Sequence, residues 1–193
     1  MNIHKQVRLL RHIRKLHKYF GITFAIWLMI ISLTGLLLGV KKNTGGIILS
    51  ESYKGSSTEL NKWLPMDSLY KLALKYYSKS KYRTVPNSIE RIDIRKDKGM
   101  AKFIFTDDYI ALQLDCSTGK LLHIENRRAD LIENIHDGSI LDKYFNTIGE
   151  PFKLFYTIII SFILFGFCIT GLGIWYIPKI IRKNRKNINA LSN

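Results

Sequence analysis

The chain has 193 residues, with 30 Lys and Arg against 15 Asp and Glu, and a mean hydropathy near zero. The net charge of +15 divides as +6 in residues 1–40, +4 in 41–153 and +5 in 154–193. Most of the excess therefore flanks two uncharged runs, at 20–40 and 154–178, so lipid contact and topology account for a pI of about 9.8, and nucleic acid is excluded as the partner. Nothing resembles a nucleophile–base pair, a phosphate loop or a C-x-x-C metal knuckle, which excludes the hydrolase and kinase classes.

Residues 1–19 form a basic tail carrying Lys5, Arg8, Arg11, Arg14, Lys15 and Lys18. The run FGITFAIWLMIISLTGLLLGV at 20–40 is long enough to cross a bilayer core, which takes roughly 20 apolar residues. It is too long for a signal peptide, and LLLGVKKN has no small-x-small cleavage site, so the expectation is an uncleaved anchor. Residues 41–64 read as an irregular connection. Residues 65–126 read as a folded domain, and 127–151 as a return segment. A second transmembrane helix occupies 152–178, and a second basic tail, 179–193, follows. Two such runs leave too little chain to bury them in a soluble core. Basic flanks stay in the cytoplasm, so both termini are expected there and 41–153 on the outer side of the cytoplasmic (inner) membrane.

Within 65–126, Pro65 with Asp67 or Ser68 marks a helix start. Leu69, Leu72, Ala73, Tyr76 and Tyr77 follow the spacing of one apolar helix face, with Lys71, Lys75 and Lys79 opposite. Pro86 and Asn87 close that region. Four short runs with period-2 patterning follow: ERIDIR, with Ile92 and Ile94 on one face, then MAKFIFT, YIALQLD and KLLHIE. Turns at Lys98-Gly99, Asp107-Asp108 and 117–119 separate them, which implies an antiparallel meander. The helix covers one face of the sheet. The fold class is thus membrane α+β: two transmembrane helices flanking a small extracytoplasmic domain of one helix plus an antiparallel sheet.

A helix followed by an antiparallel sheet, with a D-x-x-T-G-K turn (Asp115, Thr118, Gly119, Lys120) between the last strands, resembles the PepSY domain. The flanks resemble the PepSY-associated transmembrane family. Its basic R-x-x-H-x-x-x-G pattern is matched by Arg14, His17 and Gly21, and its L-T-G-L by Leu33-Thr34-Gly35-Leu36. A later I-H-x-G pattern is matched by Ile135-His136-Asp137-Gly138, and I-T-G-L followed by Trp by Ile169-Thr170-Gly171-Leu172 and Trp175. Larger members have four helices, and some resemble siderophore-iron reductases that hold haem through membrane histidines; this chain has two. The resemblance implies His17 and His136 as haem ligands, with haem b as the cofactor, in an electron-transfer component or an accessory of iron (siderophore) reduction. It equally implies a second function, a membrane-anchored PepSY module regulating a protease or transporter partner without catalysis.

Each candidate also has a plainer reading. His17 stands three residues before the uncharged run, where a neutral imidazole can ligate haem iron, or can be an interfacial residue like His4 and His12. His136 is either a second ligand or part of a turn in which Gly138 supplies backbone freedom. A membrane thickness separates the two, so they cannot share one iron, and each needs a second histidine from a homodimer copy or a partner membrane protein. Glu133 and His136 have the E-x-x-H spacing of half a di-iron site, with no second copy. His123, alternating with Leu122 and Ile124, points to solvent. Cys116 is a small, partly buried residue or pairs between chains, and no disulfide joins it to Cys168. Gly35 and Gly39 form G-x-x-x-G, and Gly166, Thr170, Gly171 and Gly173 form a second smooth stripe; the expectation is that these pack the two helices together. Lys71, Lys75, Lys79, Lys81 and Arg83 make a basic outer surface, either a solvated face or one suited to an acidic partner.

Overall fold

The computed structural model describes residues 3–80, 89–106 and 109–191. The chain divides into two compact units, Met1–Leu33 with His136–Asn193, and Thr34–Ile135. The closing residues Pro86 and Asn87, the Asp107-Asp108 turn, Lys81 and Arg83 lie outside the described residues.

The first unit is built on two long helices. Helix α1 is Ile3–Val40, and its helical structure begins well before the uncharged run. Helix α5 is Pro151–Leu191, and it continues through Pro178 into the basic tail. The two run antiparallel in this unit. Asn184 Nδ2 donates to Gln6 Oε1 at 3.4 Å, Ile13 lies against Gly173, His17 meets Thr170, Gly21 faces the Phe167 ring, and Trp27 stands edge-on to Tyr156 at 6.0 Å. On α1 the contacting positions 6, 13, 17 and 21, with the buried Leu10, recur at helical spacing along one face. Gly21, Gly171 and Gly173 sit on this seam, whereas Cβ atoms at Gly39 and Gly166 would meet nothing within 4 Å. Within this unit the seam uses the small residues nearer the α1 start.

The uncharged runs are offset along this seam. Charge begins on α1 at Lys18, one residue from the His17–Thr170 contact, while α5 stays uncharged for eight more residues, through Pro178. At a rise of 1.5 Å per residue, that offset is about 12 Å.

A short helix, α4 (Ser139–Phe145), leads into α5. Asp142 is buried beneath it and accepts from the backbone N–H of Phe152 at 3.1 Å and Lys153 at 2.7 Å, satisfying two of the orphan donors at the start of α5. Thr147 donates its hydroxyl to the same carboxylate. Residues 127–151, read from sequence as a return segment, are thus mostly helical: α3 (Arg128–Asp137) precedes α4.

The second unit is the α+β layer. Helix α2 (Met66–Lys79) buries Leu69, Ala73 and Tyr77. Strands β1 (Ile89–Arg95), β2 (Met100–Phe105), β3 (Ile110–Asp115) and β4 (Leu121–Asn126) pair antiparallel in the order β1-β2-β3-β4. The α2 stripe packs on Ala101, Phe103, Phe105, Ile110, Leu112 and Leu114, and Tyr77 stacks on Phe105 at 4.0 Å. Ile92 joins this core, but Ile94, at the far end of the edge strand, is exposed.

The other face of the sheet is also covered, which corrects the reading of 41–64 as a mere connection. The segment around 51–57 lies across it. Tyr53 N–H donates to Gln113 Oε1 at 2.9 Å, Gln113 Nε2 donates to the Glu51 carbonyl at 2.8 Å, and Lys98 Nζ donates to the Ser52 carbonyl at 3.0 Å. The polar side chains of this face are paired, beside the buried Met100, Ile104 and Ala111. Gln113 Nε2 also donates to Glu125 at 2.7 Å, and Glu125 forms a buried ion pair with Lys102 at 2.7 Å. Such groups are stable out of water only because each has partners. His123 is half-buried against the Tyr53 ring at 4.8 Å, not directed freely to solvent. Cys116 is wholly buried, and burial with the neighbouring Asp115 charge pushes its thiol up to about 11. Both facts oppose pairing between chains.

Candidate functional site

The helix seam joins the two membrane motifs found in the sequence. His17 of R-x-x-H-x-x-x-G and Thr170 of I-T-G-L, 153 positions apart, are in direct contact: His17 Nδ1 lies 2.8 Å from Thr170 Oγ1. The His17 ring stands edge-on to Phe167 at 5.0 Å. The Thr170 hydroxyl has one proton, and it is directed back along its own helix, at 2.7 Å from the Gly166 carbonyl and 3.2 Å from that of Phe167. A hydroxyl already donating can only accept a further bond. The network therefore assigns the proton of a neutral His17 to Nδ1 and leaves the Nε2 lone pair as the ring's ligand atom. Beside the pair is an apolar cavity of ≈ 260 Å³ lined by Leu16, Phe20, Phe162, Ile163, Gly166, Phe167 and Thr170.

His17 stands at the edge of its own helix's uncharged run but eight residues inside that of α5. The sequence showed the first of these positions and not the second. It showed Thr170 only as a member of the I-T-G-L motif and of a smooth stripe. The missing signal is tertiary, because a hydroxyl's partner across the seam has no local trace.

His136 occupies the last turn of α3 and is half-buried. Its motif has a clear structural role. Asp137 Oδ1 accepts from Ser139 N–H at 3.0 Å, and Asp137 pairs with Lys153 at 3.3 Å. Burial pushes the Asp137 carboxyl up, but the Ser139 bonds and Lys153 outweigh it and hold it below the usual range. Gly138 has φ +81°, and an added Cβ would come within 2.8 Å of the Tyr156 ring. Both the left-handed backbone and this approach require glycine. The level of His136 differs from that of His17. Gly138 lies against Tyr156 and His17 against Thr170, fourteen residues apart on α5, or about 21 Å. The structure does not bring the two histidines together. Glu133 and His136 share α3, but among the described residues no group of three or more His, Cys, Asp or Glu could hold a metal ion.

The D-x-x-T-G-K turn is likewise structural. Asp115 accepts from Ser56 N–H at 3.1 Å, Ser56 Oγ at 2.5 Å, Ser117 N–H at 2.8 Å and Thr118 Oγ1 at 2.8 Å. Burial raises the Asp115 carboxyl, but these four donors outweigh it and leave it below the ordinary value. Asp115 thereby ties the covering segment to the β3–β4 turn.

Two apolar helices flanking an antiparallel α+β layer define a membrane protein with one folded domain between its spans. The chain belongs to the family described as the PepSY-associated TM region, which matches residues 14–190. No curated protein and no solved structure matches it.

Proposed function

We propose that this protein is a haem-binding electron-transfer component of the membrane, acting in or beside the reduction of ferric or siderophore-bound iron. The observation that carries the reading is the His17–Thr170 contact. A histidine whose Nδ1–H is held by a fixed acceptor presents Nε2 in a set orientation, which is how a protein prepares an imidazole for iron. The residues fit haem b in chemistry: a neutral nitrogen donor, flat apolar walls at Phe20, Phe162 and Phe167, and a glycine surface at Gly166 open to a macrocycle edge. Haem, when bound, supplies one-electron chemistry. His17 would hold the iron through Nε2, with Thr170 orienting the ring and the adjoining aromatic walls lying against the macrocycle. His136, about 21 Å away in level, is the ligand of a separate site. Each site takes its second ligand from a homodimer copy or a partner membrane protein. Both termini are cytoplasmic in this reading, and the α+β unit is extracytoplasmic.

The alternative, a membrane-anchored module regulating a protease or transporter, has less support. Both sheet faces are covered from within the unit, and edge strand β1 carries Glu90, Arg91, Asp93 and Arg95, which discourage strand addition. The test is an absorption spectrum of the protein purified in mild detergent from haem-replete cells, before and after dithionite. A Soret band with sharpened reduced bands, lost in His17→Ala, is expected. A flat spectrum from the folded wild-type protein would end the haem reading and leave the anchored module.

A further inference from the structure

The stretch from α4 into α5 presents large apolar side chains that its own unit leaves uncovered. Leu141, Tyr144 and Phe145 share one face of α4, and Ile148 follows in the loop between α4 and α5. Tyr144 is 79% and Ile148 99% exposed. The opposite face of α4 is anchored, since Ser139 and Asp142 are buried. The patch has a fixed place along α5, because Asp142 holds the Phe152 and Lys153 amides and Phe145 stacks on Phe152 at 5.5 Å. Leu154 and Phe155, at the start of the uncharged run, are exposed as well.

The offset of the two helices says what covers it. On α1, charge begins at Lys18, level with Thr170 of α5. Lysines and arginines mark the polar edge of a bilayer. Counting from Thr170 back along α5 by the roughly 20 residues that span a hydrocarbon core reaches Glu150 and Pro151, the loop between α4 and α5. Trp175 and Tyr176, five and six residues beyond Thr170, then lie in the aromatic belt of that edge. An edge at Lys179 would end the core about nine residues later and leave α4, Leu154 and Phe155 in water.

We propose that the exposed face of α4 with Ile148 docks into the headgroup–acyl boundary of the leaflet in which α5 begins, so that this segment is an interfacial anchor and its partner is the phospholipid surface. The chemistry suits that layer. Tyr144 offers an apolar ring with a polar tip, and the entering Lys153 is neutralised by Glu150 at 2.9 Å and Asp137 at 3.3 Å.

The test uses spin labels on the full chain in phosphatidylcholine vesicles. Ile148→Cys and Tyr144→Cys are each made in a Cys168→Ser background, leaving the wholly buried Cys116 in place. Collision with dissolved oxygen, relative to a water-soluble nickel chelate, should be severalfold higher at both positions than for free label in water, though lower than at Phe162→Cys within the span. Water-like values at both positions would overturn the proposal. So would labels that neither reagent reaches, which would mean that a second copy or another protein surface covers the patch. Ile148 makes no packing contact to lose, so its variant keeps the test open should Tyr144→Cys misfold.

Discussion

Replacing Gly55 by alanine adds a single methyl where the covering segment crosses the β1–β2 turn. The residue's backbone tolerates alanine; the space does not. The new Cβ would stand 2.2 Å from the Gly99 carbonyl oxygen and 3.0 Å from Asp115 Oδ1. That carbonyl cannot retreat freely, because it accepts Cys116 N–H at 3.0 Å. The segment must therefore lift. At stake are the bond from Gly55 N–H to the Lys98 carbonyl at 2.8 Å and the two bonds from Ser56 to Asp115. A neutral bond contributes about 1 kcal/mol and one to a charged group about 1.5–3 kcal/mol, with water partly replacing each once the segment has moved. Overpacking by itself costs about 1–3 kcal/mol. A net loss of about 3 kcal/mol is expected for Gly55→Ala, which lowers the midpoint of a unit this size by about 12 °C or more. Thermal unfolding of the full chain in detergent measures it. Trp63, whose indole N–H donates to the Ser57 carbonyl at 2.9 Å, reports the lifting by its emission. A change within about 0.5 kcal/mol, with Trp63 emission unaltered, would refute the tight crossing.

Three further outcomes follow from the same geometry. If the proposed haem is bound, Thr170→Val, which removes the partner of His17 Nδ1, should weaken or broaden its spectrum, with Thr170→Ser restoring it; equal spectra in all three proteins would deny Thr170 its orienting role. Asp115 is held below its ordinary value, so its contribution is fully present above about pH 4, the unfolded value, and is lost as pH falls through the folded one. Asp115→Asn should accordingly lower the melting midpoint at neutral pH and flatten its fall below about pH 4, which a melting series across pH would measure. Asp142→Ala frees the Phe152 and Lys153 amides, so hydrogen exchange there should quicken while the α2 core amides keep their protection; unchanged exchange would mean that Asp142 does not hold the start of α5.

Much of the architecture was legible because its causes are local. Uncharged runs at 20–40 and 154–178 have to be membrane helices, since no water-soluble core of this size could bury them. The stripe Leu69, Ala73, Tyr77 and the period-2 runs between turns gave the helix and meander, as each pattern matches one secondary-structure period. The family, too, could be recognised from motif order, and its match over 14–190 followed. Where the reading fell short, the cause was distant in sequence. The 51–57 segment has no period, and its order comes from Gln113, Asp115 and Lys98, which only the folded sheet places beneath it.

For the candidate site the division is similar. The sequence alone marked His17 at the edge of the first uncharged run and His136 in the I-H-D-G motif ahead of the second, and it kept both the ligand and the plainer reading for each. The separation of the two histidines was legible from the length of the run between them; only the tertiary structure decided that His17 shares a hydrogen bond with Thr170 and that the His136 motif packs on Tyr156. The register between two antiparallel helices is set by which small residues meet which rings: Gly21 on Phe167, Gly173 on Ile13. One helix's sequence holds no record of that pairing, and a shift of one turn would carry Thr170 about 5 Å from the histidine.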